Sequence, residues 1–256
     1  MSAVKRAVTV VSQQRLADDV YSLWLAADSL VKEARPGQFV SVFCQNGERL
    51  LPRPISICEI DRKQGYLRLV YRVVGAGTRE FSSRRAGEKI EIMGPLGNGY
   101  TLLEGGESLL IAGGIGIPPL LELAKELKGE KTIVLGYANA QTFLMQELKS
   151  YGCVLVATED GSCGVQGNVM DVISEYDLTA DRIYSCGPRP MLKAVQKFAE
   201  AKEIPCQISM EERMACGIGA CLSCVCSSRQ IDKHSQVKNK RVCKDGPVFD
   251  AREIEL

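Results

Sequence analysis

Near the end of the chain four cysteines stand at Cys216-x4-Cys221-x2-Cys224 and then, after eighteen intervening residues, Cys243. Thiolates are soft ligands. Three of them on one tight loop can wrap two irons from one side, and a fourth from a distant segment closes the site and ties that segment down, which is the plant-type [2Fe-2S] spacing. Gly217 and Gly219 let the loop backbone approach and aim N–H groups at sulfur, which raises a cluster's reduction potential. The alternatives are a structural zinc site, which more often pairs two Cys-x2-4-Cys units, or unligated thiols. Cys226 is a fifth thiol beside the loop; four ligands suffice, so it reads as a non-ligand.

Two further groups of residues could hold nucleotides. Arg53-Pro54-Ile55-Ser56 opens a strand, where a guanidinium could pair with a pyrophosphate and a hydroxyl with a ring nitrogen. Tyr71-Arg72 in a later strand and Gly77-Thr78 before a helical stretch add an aromatic face, a second cation and an N-terminal anion site. Gly113-Gly114-Ile115-Gly116-Ile117-Pro118-Pro119 follows an apolar strand and precedes a helix, so its amides could approach a dinucleotide phosphate. It departs from G-x-G-x-x-G by placing Pro119 where the third glycine would stand, and taken alone it could be a tight turn. Cys186-Gly187-Pro188-Arg189-Pro190-Met191 is a second turn after a strand, expected on the same sheet edge.

The elements that must position these residues fall into two patterns. Six short strands are expected at Ala7 to Val11, Val20 to Ala26, Gln38 to Phe43, Ile55 to Ile60, Tyr66 to Val74 and Lys89 to Met93, with turns at Pro36-Gly37, Asn46-Gly47 and Gly75-Ala76-Gly77. That rhythm predicts an antiparallel six-stranded β-barrel, with Trp24 packed inside. The breaker run Gly94 to Gly99 ends it. Strands at Ser108 to Ala112, Thr132 to Tyr137, Val154 to Thr158 and Arg182 to Ser185 then alternate with helices at Pro118 to Leu127, Thr142 to Ser150, Val169 to Tyr176 and Met191 to Ala201, and Pro205 to Met210 completes the set. Such alternation predicts a parallel α/β nucleotide-binding domain with ligands at the carboxyl ends of its strands. The expected organisation is therefore a barrel over residues 1–100, the α/β domain over 101–210 and a small [2Fe-2S] subdomain over 211–256 that depends on metal for its structure.

Composition narrows the class. With 32 basic and 31 acidic side chains the net charge is +1, which gives no footprint for nucleic acid or an anionic membrane. Residues 1 to 26 lack the unbroken apolar run of a signal peptide or membrane span, so a cytoplasmic location is expected. In such a compartment eleven cysteines favour metal ligation over disulfides. Cys44, Cys58, Cys153, Cys163 and Cys206 read as small hydrophobes, with Cys186 set apart. His234, the only histidine, lies in a Lys-rich stretch and reads as exposed.

The R-x-x-S strand at Arg53 to Ser56, G-x-G-x-x-P at Gly114 to Pro119 and C-G-P-x-x-M at Cys186 to Met191 together resemble the ferredoxin-reductase family over almost the whole chain. The resemblance implies FAD in the barrel, on Arg53, Pro54, Ile55, Ser56, Val70, Tyr71, Arg72, Gly77 and Thr78. It implies a nicotinamide nucleotide on the second domain, at Gly114, Gly116, Pro119, Gly187, Pro188 and Met191, with Cys186 near the nicotinamide. Ile55 departs from the family pattern, which often has a tyrosine there to stack on the flavin. The turn after Thr158, which the resemblance sets against the adenosine ribose, reads Glu159-Asp160; carboxylates accept from a ribose diol and repel a 2′-phosphate, which favours NAD, unless they only cap the turn.

Within that family the chain is most similar to the electron-transfer subunits of NAD-linked dihydroorotate dehydrogenases. Four stretches carry this: Arg53 to Cys58, Val70 to Gly75, Cys216 to Cys226 and Val242 to Phe249. The resemblance implies an FMN-containing catalytic subunit that oxidises dihydroorotate in de novo pyrimidine biosynthesis, a complex with two copies of each subunit, and electron flow through [2Fe-2S] and FAD to NAD+ with no acid or base residue in the hydride step. A reductase subunit serving ferredoxin, sulfide or a hydrogenase would use the same cofactors, and a zinc-binding interaction module is the non-enzymatic alternative.

Overall fold

The structure, a computed structural model, describes residues 4–45, 47, 49–231 and 236–256. Asn46 of one expected turn, and His234, fall outside the described residues.

The first six strands are β1 (Lys5–Ala17), β2 (Val20–Ala26), β3 (Phe39–Phe43), β4 (Arg53–Asp61), β5 (Tyr66–Arg72) and β6 (Lys89–Leu96). They close into an antiparallel barrel in the order β1-β2-β5-β4-β3-β6, which leaves no open edge. Two short helices, α1 (Asp28–Val31) and α2 (Ala76–Ser82), sit in its connections. The core follows the strand period of two: Leu23 and Leu25 of β2 and Leu67, Leu69 and Tyr71 of β5 point inward with Val40, Ile57 and Ile90. That period overturns the expectation for Trp24. It lies between two inward leucines and so faces out, half-buried, with the Arg68 guanidinium 5.5 Å from its ring centre.

The second domain contains β7 (Glu107–Gly113), α3 (Pro119–Glu126), β8 (Glu130–Tyr137), α4 (Met145–Leu148), β9 (Cys153–Thr158), β10 (Val165–Gln166), α5 (Val169–Glu175), β11 (Arg182–Cys186), α6 (Arg189–Ala201) and β12 (Cys206–Ser209). The last segment adds β13 (Val225–Ser227), β14 (Asn239–Arg241) and β15 (Val248–Asp250). The large sheet runs β10-β9-β8-β7-β11-β12-β15. All its pairs are parallel except β12 with β15, so the cysteine-rich segment supplies the sheet's antiparallel edge. The helix expected from Thr142 to Ser150 shrinks to α4, because Leu144 adopts φ 63° and buries its side chain instead of continuing a helical turn. No helix among the described residues is long and apolar enough to cross a membrane.

Barrel and nucleotide domain meet along a polar seam. Arg68 of β5 reaches Glu147 of α4 and, at 3.3 Å, Glu59 of β4, while Gln141 donates to Asp18 at 2.7 Å. At the centre Glu122 of α3, fully buried, accepts the Ile60 N–H at 2.8 Å. Burial raises its carboxyl to about 7, and the Ile60 N–H and Lys125 oppose that rise. A carboxyl that binds its proton more tightly when folded makes ionisation cost stability. The folded chain should therefore lose stability relative to Glu122→Gln as pH climbs from 4.5, where the unfolded group ionises, to about 7, with no further divergence above. Paired thermal melts of the two proteins across that range check this.

Candidate functional site

The flavin-side residues come together in one cavity of about 300 Å³. Arg53, Pro54, Ile55 and Ser56 line it from β4; Val70, Tyr71 and Arg72 from β5; Thr78 from α2; Ile115 from the glycine loop; and Met210, Glu211, Glu212, Met214 and Pro247 from the last segment. Gly77 has a steric reason to be glycine: a Cβ there would lie 2.7 Å from Arg53 Nε. Arg53 donates to the Leu51 carbonyl, which holds the guanidinium at the cavity rim. Thr78 Oγ1 accepts from the Val74 N–H at 3.0 Å and donates to the Gly75 carbonyl at 3.2 Å, so its hydroxyl shapes the turn before α2. The aromatic face expected of Tyr71 is not presented to the cavity. Strand alternation turns its ring into the barrel core, against Tyr21 and edge-on to Phe81, with its hydroxyl accepting from Gln13 at 3.1 Å.

The nucleotide-side residues lie along one sheet edge. Register aligns the ends of β7, β8, β9 and β11, with Ala112 opposite Cys186, Gly113 opposite Gly136 and Tyr137 opposite Thr158. Strand order reverses direction between β7 and β11, and the loops at 114–116 and 187–191 flank that switch point, where open α/β sheets bind ligands. The two loops touch: a Cβ on Gly116 would sit 2.5 Å from the Cys186 carbonyl oxygen and one on Gly187 2.5 Å from Met191 Cε. Pro119 occupies the first turn of α3, where its missing N–H costs nothing. Pro188 is the residue before α6. The Cys186 thiol is buried in the core, and burial pushes its pKa far up, with the Glu211 charge adding to the rise. Glu159 and Asp160 stand exposed beyond β9. Ser162 donates to Asp160 through Oγ at 2.6 Å and through N–H at 3.0 Å, holding that carboxyl below its usual range.

The four cysteines of the C-terminal motif converge as two pairs. The Cys221 N–H donates to Cys216 Sγ at 3.4 Å, and the Cys243 N–H to Cys224 Sγ at 3.4 Å. Among the described residues no three His, Cys, Asp or Glu side chains gather as a metal-holding group. Gly217 and Gly219 take φ of 70° and 83°. The resulting loop turns the Ile218, Ala220 and Cys221 N–H groups onto Cys216 Sγ at 3.3 to 3.4 Å and the Gly219 N–H onto Cys243 Sγ at 3.1 Å. Burial opposes ionisation of Cys216, but these donors outweigh it and bring its thiol down to about 6. Burial and the Cys224 thiol push Cys243 up to about 12, and burial lifts Cys226 to about 11. Of the thiols expected to act as small hydrophobes, Cys58 and Cys206 are buried, Cys44 and Cys163 are half-buried, and Cys153 is exposed.

The cluster loop rests on the barrel beside the flavin cavity. A Cβ on Gly217 would approach Ser41 Oγ of β3 to 2.9 Å, and Ser41 pairs with Pro54 of β4. One strand spacing, about 5 Å, therefore separates the loop's seat from the flavin strand. The segment after Cys243 runs directly to Pro247 in the cavity wall, and Asn98 fastens it by donating to the Gly246 and Asp245 carbonyls at 2.6 and 3.0 Å.

Residues 7–100 match the oxidoreductase FAD-binding domain family, 110–197 the oxidoreductase NAD-binding domain family, and 211–255 the family described as the iron-sulfur cluster binding domain of dihydroorotate dehydrogenase B. The dihydroorotate dehydrogenase B (NAD(+)) electron transfer subunit of Geobacillus thermodenitrificans is 43% identical over 257 residues, covering 97% of this chain and 98% of that one. The chain belongs to this family of electron transfer subunits. The Caldanaerobacter subterraneus member is likewise 43% identical, with 98% of each chain covered. A solved structure described as an NADH-dependent reduced ferredoxin-NADP oxidoreductase superposes with a TM-score of 0.86 at 30% identity over 100% of this chain and 91% of that one. The ferredoxin reductase of carbazole 1,9a-dioxygenase, at TM-score 0.68 and 20% identity, shares the fold over 80% of this chain and 68% of its own.

As a member of the family, the chain is an oxidoreductase component with FAD, NAD and iron-sulfur domains, and an electron transfer subunit acts with a catalytic partner. Sequence reasoning missed two acidic residues. Glu122 sits in a helix and has its partners sixty positions away. Glu211 lines the flavin cavity without a hydrogen bond or ion pair among the described residues; it is exposed to the open cavity, and the protein crowded around its carboxyl raises its pKa. A signal for Glu122 did exist, since it lies within the wholly buried run Leu120 to Ala124.

Proposed function

We propose that this chain carries electrons from the FMN of a dihydroorotate-oxidising catalytic subunit, through a [2Fe-2S] cluster and FAD, to NAD+, as part of de novo pyrimidine biosynthesis. The complex is a cytoplasmic heterotetramer with two copies of each subunit. One observation carries the reading: a single cavity is walled by the flavin strand, the glycine loop of the nucleotide domain and the segment that leaves the last cluster cysteine.

Cys216, Cys221, Cys224 and Cys243 hold the two irons, with the loop amides donating to sulfur and favouring the reduced, more negative state. Arg53 and Arg72 pair with the FAD pyrophosphate, Ser56 donates to a ring nitrogen, and Thr78 holds the turn that keeps Gly77 open for Arg53. The iron-sulfur cluster exchanges single electrons and the nicotinamide takes a hydride, and a flavin supplies the conversion between the two. Met210, Met214 and Ile115 exclude water around the ring. Glu211 would place a carboxyl in the same cavity, where it could hold a proton beside the bound flavin. Gly114, Gly116 and the start of α3 receive the NAD pyrophosphate, with Gly187, Pro188 and Met191 walling the opposite side and the backbone at Cys186 beneath them. Ile218 and Leu222 are exposed beside Cys221, itself exposed, and this apolar rim is where the catalytic subunit docks.

Glu159 and Asp160 accept from the adenosine ribose. Their double alanine variant should raise KM for NADH about tenfold, the loss of roughly one charge-assisted hydrogen bond, and narrow its preference over NADPH. Steady-state kinetics with both nucleotides check this; an unchanged preference would leave the two residues as turn caps.

The 30% identity to a ferredoxin-linked oxidoreductase supports a second reading, in which ferredoxin is the electron donor. Co-expression with the FMN subunit separates the two. Dihydroorotate-dependent NAD+ reduction that requires both chains supports the first reading, and reduction driven by reduced ferredoxin without the partner supports the second.

A further inference from the structure

Glu122 belongs to neither nucleotide site, yet it joins the elements that carry them. It lies on α3, which starts three residues beyond Gly116, and its Oε2 accepts the backbone N–H of Ile60 on β4, the strand that begins with Arg53 to Ser56. Arg62 Nη1 stands 3.5 Å from Oε1 and Lys125 Nζ 3.5 Å from Oε2. Lys125 also donates to the Ile60 carbonyl at 3.3 Å, so the helix grips both backbone polar groups of one residue of the flavin strand. A fully buried carboxylate is costly unless its hydrogen bonds are made, and a purely structural contact here could have been apolar, like its neighbours Leu121 and Leu123. On the same helix Glu126 meets Arg62 at 2.8 Å and Lys125 meets Glu59 at 3.4 Å, but neither is fully buried as Glu122 is, and the remaining seam contacts tie down α4 and the 141 loop. Only α3 is continuous with the glycine loop, and Ile115 of that loop already borders the flavin cavity.

We propose that Glu122 is a positioning residue: by clamping α3 to the Ile60 peptide it sets the nucleotide loop over the flavin strand at the separation hydride transfer requires. The proposal rests on FAD in the barrel and the nicotinamide nucleotide on the second domain. Hydride transfer is sensitive to such placement, since a displacement of about 1 Å can cost roughly a hundredfold in rate. Binding of NAD(H) depends on its phosphates and ribose and should be far less affected.

The test is anaerobic stopped-flow reduction of the holo complex by NADH, read at the flavin band, for wild type, Glu122→Gln, Glu122→Asp and Glu122→Ala. Glutamine keeps the reach to Ile60; aspartate keeps the charge but is shorter by one methylene. The saturated rate should fall at least about tenfold in the Asp and Ala variants, with half-saturating NADH within about threefold and a weakened long-wavelength flavin–nicotinamide band, while Gln stays within about threefold of wild type. Should the Ala variant fail to retain FAD, the Asp variant decides. A wild-type saturated rate in Glu122→Asp, or a loss confined to half-saturation, overturns the proposal. Failure of NADH to bleach the wild-type flavin would instead overturn the cofactor reading on which it rests.

Discussion

Replacing Cys243 with alanine should reduce bound iron from about two atoms per chain to a small fraction of that, remove the iron-sulfur absorbance and abolish partner-driven NAD+ reduction. FAD and NADH-dependent dye reduction should be largely retained. The separation of effects follows from where the cysteine sits. Its N–H donates to Cys224 Sγ at 3.4 Å and its sulfur receives the Gly219 N–H, so its loss removes one of the four proposed cluster ligands, whereas the barrel cavity is walled mainly by β4, β5 and the 210–214 segment. Metal binding also folds the segment that carries it. Limited proteolysis should therefore cut between residues 211 and 247 in the variant and not in the holo protein. Cys226→Ala is the matched control. That thiol is buried in β13, outside the two pairs, and its loss should leave iron content unchanged.

Arg53→Ala should weaken FAD binding by about a hundredfold or more, the loss of two charge-assisted hydrogen bonds to phosphate, and yield protein with iron but little flavin. Flavin content after gel filtration and a reconstitution titration read this directly. Gly77→Val tests the same contact from the other side. The new side chain starts 2.7 Å from Arg53 Nε and must displace the guanidinium, so it should reproduce the flavin loss with Arg53 still present. If Gly77→Val retains full flavin, Arg53 does not hold the pyrophosphate from its observed position.

Much of this architecture was legible because it depends on local periodicity. Six strands of period two, then strands alternating with helices, gave the barrel and the sheet to within a few residues, except that β1 runs on to Ala17 and the two-residue β10 was not expected. The same reasoning failed where the decisive partner is remote. Trp24 looked like a core residue by type, but its place between Leu23 and Leu25 turns it outward. Tyr71 looked like a flavin-facing aromatic, but its parity with Leu67 and Leu69 commits it to the barrel interior. The strands of the last segment are three residues long, too short for any period. Of these, β15 exists because β12 offers it an edge.

The candidate site divides in the same way. Cysteine spacing and the glycine runs are local and pointed to their chemistry before any fold was known. Glu122 and Glu211 are functional only through what the tertiary structure brings to them: the Ile60 peptide in one case and the flavin cavity in the other. A charged residue inside a run that helical period would bury, as at Leu120 to Ala124, is the one sequence signal that flags such a group in advance.

The central claim is that cluster, flavin and nicotinamide form one connected electron path within this chain. Its most direct test is to purify the protein without oxygen, measure iron, zinc and flavin, and add NADH while recording the visible and electron paramagnetic resonance spectra. About two irons and one FAD per chain, a bleached flavin band and a reduced [2Fe-2S] signal on NADH addition are the expected results. Zinc in place of iron, absent flavin, or a cluster that stays oxidised while NADH reduces the flavin would contradict the account.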